Sequence, residues 1–320
     1  MRTVPLTTNG PDVSVQGLGC MGMSEFYGPS DETESLATLH HALDQGLNFL
    51  DTADMYGHGA NEQLVGKVVR ERRDEVVLAT KFGIIRDRDT GARSFRGDPE
   101  YVRTACDASL SRLGVDTIDL YYMHRRDSSV PIEETVGAMA DLVARGKVRH
   151  LGLSEVSAEE LRAAHSTHPI TAVQSEWSLW SRDVEESVVA ECARLGVGFV
   201  PYSPLGRGFL TGALPAESEL APDDFRRGKP RFSGENAVRN QALLDIVQRV
   251  AAAHGATPGQ VALAWVHAQA ERWGLPVVPI PGTKRRARLD ENLRGADLVL
   301  AQEDIADLDT IAAATSGARY

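Results

Sequence analysis

From residue 46 onward, short apolar and β-branched runs alternate with longer amphipathic segments. The runs that read as strands are Leu47–Asp51, Val76–Lys81, Ile118–His124, Val148–Ser154, Ile170–Gln174, Val197–Tyr202 and Pro276–Ile280. Between them, apolar positions recur at helical spacing over Glu34–Leu43, Asn61–Arg72, Tyr101–Leu113, Ile132–Arg145, Ala158–His165, Val184–Leu195 and Asn240–His254. Gly46, Gly114, Gly146, Gly196 and Gly255 fall where helices of this pattern stop, because a residue without Cβ takes the left-handed conformation that ends a helix. An earlier run, Val15–Cys20, supplies an eighth strand, preceded by a hairpin of Arg2–Pro5 and Val13–Val15.

Strands joined by helical connections imply right-handed crossovers and a parallel sheet. Eight such units in 320 residues fit an α/β fold of the (β/α)8 TIM-barrel kind, with an N-terminal β-hairpin, better than two Rossmann domains. No Pro/Gly/Ser-rich linker divides the chain, so residues 1–320 are expected to form one domain. Gly17, Gly19 and Gly22 satisfy G-x-G-x-x-G, but MSEFYGPSD intervenes before the next helix and the next acid, Asp44, sits inside a helical pattern. A dinucleotide fingerprint needs the last glycine to open the helix and an acid to end a second strand, so this reading is rejected. The stretch Leu214–Asn236 is polar and holds Pro215, Pro222 and Pro230, the acids Asp223 and Asp224, and the bases Arg226, Arg227, Lys229 and Arg231. It is expected to be a mobile loop over one end of the barrel with no apolar face to bury, which either closes over a bound ligand or is an insertion with no role.

Composition narrows the function classes. Hydrophobic content of 42% with 25% charged residues excludes a disordered chain. No run approaches the ~18 apolar residues of a spanning helix, and MRTVPLTTNG lacks the apolar core of a secretory leader, so no membrane association is expected. A net charge of −11 argues against a nucleic-acid partner, which requires a basic face. Cys20, Cys106 and Cys192 are odd in number and far apart, which suits a reducing cytoplasm and neither a disulfide framework nor a zinc site. His165 and His168 have no acidic or cysteine companion and read as solvated residues at a helix end, so no metal is expected.

In a barrel, chemistry sits where the strands end. Six consecutive predicted strands end in Asp51, Lys81, His124, Ser154, Gln174 and Tyr202. Taken singly, Asp51 is as well explained as a cap of the following turn, and His124 as a histidine at the edge of the core. Lys81 is harder to dismiss, because an ammonium at the end of a buried strand needs a carboxylate to offset its desolvation. Tyr56, in DTADMYG, lies in the turn after Asp51. A lone loop tyrosine is usually packing, but beside a Lys–Asp pair the cation favours the phenolate, and such a tyrosine is expected to serve as an acid near neutrality.

These residues carry a family resemblance. Asp51, Tyr56, Lys81 and His124 stand in the order and contexts of the aldo-keto reductase tetrad. NFLDTADMYGHGANEQLVGK resembles the first family signature, DTIDLYYMHR its fourth strand, GKVRHLGLSEVS its fifth and VPYSPLGRGFLTG its seventh. VVPIPGTKRRARLDENLRG is similar to the C-terminal cofactor signature, and the bacterial, potassium-channel-β-subunit-like branch is the nearest in character. The resemblance implies an NADPH/NADP+-dependent reductase of small aldehydes or ketones. Tyr56 would be the general acid, Lys81 with Asp51 would tune it, and His124 would orient the carbonyl oxygen. Ser154 and Gln174 would hold the nicotinamide carboxamide, and Tyr202 would stack on the ring. Ser203, Pro204 and Leu205 would line the pyrophosphate, with Met21 near the ribose. Gly282, Thr283, Lys284, Arg288, Glu291 and Asn292 would take the adenosine end.

The last segment also reads without the family. Gly282 and Thr283 are expected to open a helix, whose N-terminus favours an anion, with Lys284 and Arg288 on one face. A solvated basic patch is the plain alternative, since Arg285, Arg286 and Arg294 are basic too. Tyr27, His58, Arg125, Trp177 and Trp180 are expected at the mouth, with Phe225 and Phe232 in the loop above it. A rival function is a redox-sensing regulator: channel β-subunits keep this barrel and bound NADPH, but commonly have Asn where His124 stands.

Overall fold

The computed structural model describes every residue except Arg88, Asp223 and Tyr320, so the expected loop acid Asp223 lies outside the described residues. The chain opens with an antiparallel hairpin, β1 (Thr3–Pro5) and β2 (Asp12–Ser14). Leu6 and Val13 of this hairpin are fully buried with Phe49, Ala79, Leu120, Tyr122, Ala172, Val200 and Val278, so the hairpin plugs one end of the barrel. Gly198 permits that close approach, because a Cβ there would lie 2.5 Å from the Leu6 carbonyl oxygen.

The parallel sheet begins with β3 (Leu18–Gly19), β4 (Phe49–Asp51) and β5 (Val77–Phe82). A small antiparallel hairpin follows, β6 (Ile84–Arg86) and β7 (Arg93–Phe95), which the hydrophobic pattern does not announce because all three residues of β7 are exposed. The sheet resumes with β8 (Ile118–Met123), β9 (Val148–Ser154), β10 (Ala172–Glu176) and β11 (Gly198–Tyr202). Its order is β3-β4-β5-β8-β9-β10-β11, parallel throughout, the near-closed barrel of a (β/α)8 fold.

The last of the expected strands, Pro276–Ile280, is not a regular strand, and the reason is its prolines. Pro276, Pro279 and Pro281 have no N–H to give a ladder. The segment still closes the barrel: Val278 N–H donates to Phe199 O (2.9 Å) and Ile280 N–H to Pro201 O (3.0 Å), while Gly17 N–H donates to Pro279 O (2.9 Å). Gly19 makes the seam possible, since a Cβ there would stand 2.9 Å from Ile280 O. The glycine motif near the N-terminus therefore serves barrel closure.

Helices α1 (Glu32–Asp44), α2 (Ala60–Glu71), α3 (Pro99–Leu113), α4 (Ile132–Ala144), α5 (Ala158–Thr167) and α6 (Val188–Leu195) alternate with the strands. Then come α7 (Gly234–Gln241), α8 (Leu243–His254), α9 (Pro258–Trp273), α10 (Arg286–Gly295) and α11 (Gln302–Ala314). Asp31 and Asp98 accept the N-terminal amides of α1 and α3, and Ser157 with Glu160 forms a capping box on α5. The predicted helix Val184–Leu195 is interrupted, with a 3-10 turn over Asp183–Glu186 before α6. Helix α9 went unread because it is buried nearly all round at Val261–Val266, which removes the amphipathic signal. No described helix is long and apolar enough to cross a membrane.

The stretch 214–236 does have an apolar face, contrary to expectation: Leu220 and Phe232 are buried. Arg231 is drawn in with them, donating to Ser181 Oγ at 2.7 Å with its guanidinium over the Trp180 ring. Proline and charge content hid two anchor residues spaced too far apart to show a period.

Candidate active site

Parallel register sets Asp51 at the end of β4 beside Ala79, and Lys81 on β5 beside Tyr122. Lys81 and Asp51 consequently meet inside the barrel mouth, where their side chains are 0% and 3% exposed. Lys81 Nζ donates to Asp51 Oδ1 at 2.5 Å, to Thr52 O at 2.8 Å and to Tyr56 Oη at 3.4 Å. All three ammonium donors are thus used. Gln174 Nε2 donates to Asp51 Oδ2 at 2.8 Å, so the carboxylate is held on both oxygens. Tyr56 is aimed by a tight turn that passes through left-handed residues Gly57, His58 and Gly59 (φ 55°, 52° and 92°). Two of the three are glycine, as that conformation favours. His124, just after β8, meets Tyr56 edge to face with ring centroids 5.9 Å apart.

Protonation follows from burial. Burial opposes the Lys81 charge, but Asp51 and Tyr56 together more than offset it and its pKa lies above the ordinary lysine value. Tyr56 departs from the expected lowering of its phenol pKa: burial pushes it up, Lys81 pulls it down, and burial wins. The reason is that Asp51 already neutralises Lys81, so the phenolate would meet little net positive charge. Tyr56 is protonated and neutral. His124 is held well below the usual histidine range, first by burial and then by Lys81, Arg125 and Arg93, so its ring is neutral. Its Nδ1 is buried with no hydrogen-bond partner among the described residues.

A cavity of about 630 Å³ runs from this group to the start of α10. Asp51, Tyr56, His124, Met21, Ser154, Gln174, Tyr202, Ser203, Pro204 and Leu205 line it, as do Gly282, Thr283, Lys284, Arg288, Glu291 and Asn292. Lys81 lies behind the wall. Ser154 Oγ accepts a hydrogen bond from Arg125 Nη1 at 3.1 Å, so it and Gln174 are both engaged by neighbours.

At the far end two expectations fail. Gly282 and Thr283 do not open a helix, because α10 begins at Arg286. Thr283 Oγ1 accepts the Arg285 N–H at 3.2 Å, a local turn that holds the backbone extended at Arg285. Lys284 therefore shares no helix face with Arg288. Its Nζ instead donates to the carbonyls of Tyr27 (2.9 Å), Gly28 (3.2 Å) and Pro29 (2.7 Å), tying the segment after β3 across the cavity. Arg288 Nη1 pairs with Glu291 Oε2 at 2.7 Å.

Of the expected mouth residues, Tyr27, Arg125 and Phe225 line the cavity. Trp177 is packed fully inside against Phe199, Trp180 stacks on Phe209 at 4.4 Å, Phe232 is edge-on to Trp180, and His58 accepts from Arg86 outside the cavity. Sequence reasoning missed Phe26, Met55, Ile84, Arg93, Arg207, Arg226 and Arg285. Arg207, in the quoted GRGFLTG run, takes a left-handed φ of 57° and pairs with Glu176 at 2.9 Å, while Arg226 donates to the Arg207 carbonyl at 3.0 Å and covers the Tyr27 ring. Only the tertiary fold joins residues 27, 207 and 226, so no local signal marks them. Among the described residues no group of His, Cys, Asp and Glu side chains could hold a metal ion.

The architecture is shared by solved bacterial enzymes. The glycerol dehydrogenase of Gluconobacter oxydans is 27% identical over 98% of this chain and 95% of its own, with a TM-score of 0.87. The holo form of an aldo-keto reductase from Bacillus halodurans is 25% identical over 97% and 96%, with a TM-score of 0.77. An aldo/keto reductase from Klebsiella pneumoniae, solved in complex with NADP and acetate, is 29% identical over 96% and 95%, with a TM-score of 0.72. The aldo/keto reductase family model matches residues 17–313, nearly the whole length. By that match, on this barrel, the protein belongs to the aldo/keto reductase family.

Proposed function

We propose that the protein is an NADPH-dependent reductase of aldehydes and ketones in which Tyr56 is the proton donor. The observation that carries this reading is the buried chain Asp51–Lys81–Tyr56 opening, beside a neutral His124, onto a cavity with cations at its other end. The cavity suits the dinucleotide: the buried Nδ1 of His124 lacks a partner beside the reacting end, and Lys284, Arg285 and Arg288 supply positive charge for a phosphate at the other. The NADP complex of the Klebsiella relative supports the same cofactor. Residues Ser154 and Gln174 would hold the carboxamide and Tyr202 the ring. Ser203, Pro204 and Leu205 would meet the pyrophosphate, Met21 the ribose, and Gly282, Thr283, Lys284, Arg285, Arg288, Glu291 and Asn292 the adenosine end.

When bound, NADPH supplies the hydride for the carbonyl carbon. Tyr56 Oη gives its proton to the carbonyl oxygen, completing the alcohol, and solvent restores the proton afterwards. A raised phenol pKa keeps that proton in place until negative charge develops on the oxygen. The phenolate left behind lies 3.4 Å from the Lys81 ammonium, which stabilises it. His124, neutral and donating from a ring N–H, orients the carbonyl oxygen. Asp51 acts through Lys81, fixing both its position and its charge.

The test is loss of reduced-nicotinamide absorbance when the protein and NADPH meet a panel of aldehydes and ketones. Rapid turnover on at least one member is expected. Slow turnover on every member defeats the reading and favours a redox-sensing regulator.

A further inference from the structure

The cations around the cavity are not equally provided for. Arg207 pairs with Glu176, Arg226 with Asp224 and Arg288 with Glu291, and Lys284 is spent on three carbonyls. Three have no ion-pair partner among the described residues: the exposed Arg285 at the far end, and Arg93 and Arg125 at the reacting end. Arg125 is half-buried, and among the described residues only its Nη1 finds acceptors, His124 O at 2.7 Å and Ser154 Oγ at 3.1 Å. Arg93 is held by the β6–β7 hairpin with its guanidinium 5.8 Å over the Phe26 ring, and it makes no side-chain hydrogen bond to a described residue. The hairpin is itself pinned, since Arg86 opposite Arg93 pairs with Glu25 at 2.7 Å.

The neighbouring acids are already committed. Asp51 and Glu291 are the carboxylates among the described cavity-lining residues, the first bound to Lys81 and the second to Arg288 at the other end. Glu155, the acid near Arg125, is occupied by Arg319 at 2.5 Å and by the Glu176 N–H at 2.9 Å. With His124 neutral, the reacting end of the cavity is left net positive in a chain whose overall charge is −11. The half-buried Arg125 guanidinium costs free energy while it lacks an ion-pair partner, and a planar oxyanion would satisfy its forked donors together with those of the exposed Arg93.

We infer that Arg93 and Arg125 form an anion subsite that selects carbonyl substrates carrying a carboxylate. The inference rests on the carbonyl-reductase reading and deepens it. The carboxylate is a handle only: the aldehyde gains a hydride from NADPH and a proton from Tyr56, NADP+ leaves, and the carboxylate is unchanged. Phe26, Met55, Ile84 and Tyr27 line the space around it and suit an apolar body between handle and carbonyl.

The experiment compares 4-carboxybenzaldehyde with its neutral methyl ester as substrates of the full-length protein with NADPH. The acid is expected to have the higher kcat/KM by about tenfold to a hundredfold, the range of a charge-assisted hydrogen bond. Its advantage should shrink in Arg93→Gln and in Arg125→Gln, chiefly through KM for the acid, partly survive in Arg93→Lys, and fall with added salt. NADPH affinity, followed by fluorescence, reports any indirect effect of the Arg125 change on Ser154. An ester reduced as well as the acid, or an unchanged ratio in both Gln variants, overturns the inference. Calorimetric titration of the NADP+-saturated protein with benzoate and benzamide reads the same preference without turnover. Equal affinities overturn the subsite, whereas preferred benzoate with neither aldehyde consumed keeps the subsite and defeats the reductase reading.

Discussion

Replacing Lys81 with methionine perturbs a fully buried charge. The new side chain fills similar space but strips Asp51 Oδ1 of its 2.5 Å partner, leaving a carboxylate 3% exposed with only the Gln174 amide on its other oxygen. Removing one member of a buried pair costs about 3–5 kcal/mol, because the remaining charge stays desolvated. The pKa of Lys81 is raised above the lysine value, so its stabilisation is fully present at neutral pH and is lost only as pH climbs through that raised value. Urea unfolding at pH 7 is therefore the right assay, read by circular dichroism and linear extrapolation. The double variant Asp51→Asn/Lys81→Met has no stranded charge and should recover at least ~2 kcal/mol over Lys81→Met alone. Turnover should be lost in both, since neither retains the cation that stabilises the Tyr56 phenolate. A Lys81→Met protein with wild-type stability, or a double variant weaker still, refutes the reasoning about the pair. Wild-type turnover in either refutes its role in the chemistry.

Tyr56→Phe should abolish carbonyl reduction, by ~10²–10⁴ in kcat, with little change in NADPH affinity measured by fluorescence titration; a comparable kcat would remove Tyr56 from its proposed role. Asp54, which lies in the same turn with a sealed, unpartnered Oδ1, has its carboxyl pushed up to about 8 by burial and by Glu62. Its folded form thus holds the proton more tightly than the unfolded chain, and stability is lost as pH rises from the ordinary aspartate value through 8. Asp54→Asn does not titrate, so its unfolding free energy from urea should gain on the wild type between pH 5 and pH 8, by on the order of 1–2 kcal/mol for a partly buried residue; a constant difference would contradict this. Arg288→Ala should weaken NADPH binding by about 1.5–3 kcal/mol while NADH binding barely moves; an equal loss for both points away from the 2′-phosphate.

Strands and helices of the barrel were legible where the residue pattern and the burial pattern coincide. Val148–Ser154 matches β9 residue for residue, and Ile132–Arg145 misses α4 by one position. The pattern failed where burial and periodicity part company. Helix α9 is too evenly buried to show a stripe, β7 is too exposed to show alternation, and the closing segment 276–282 bonds to both neighbours yet lacks three amides. Site residues at strand ends were legible for a related reason, because a polar residue closing an apolar run is visible without knowing the fold. Several residues on intervening segments around the cavity were not. Arg207, Arg226 and Phe26 come from separate loops, and none interrupts an apolar run.

What sequence could not supply was the balance of charges in three dimensions, and each correction in the site turns on it. Tyr56 beside a lysine reads as a depressed phenol, yet Lys81 arrives already neutralised by Asp51, and burial decides the direction. Lys284 reads as a free cation on a helix face, but it is held by three carbonyls before the helix begins. In the proposed cofactor site its part would fall more heavily on Arg285 and Arg288, which look like ordinary surface arginines. Arg93 and Arg125 are the mirror case. In an acidic chain rich in Arg–Glu and Arg–Asp pairs, nothing in their local contexts marks them as unmatched. Only the fold shows that the neighbouring acids are taken. Positive charge is left uncompensated at both ends of one cavity, one end facing the proposed adenosine phosphate and the other the substrate. The same electrostatic argument therefore bears on which cofactor and which carbonyl compounds the proposed reductase would prefer.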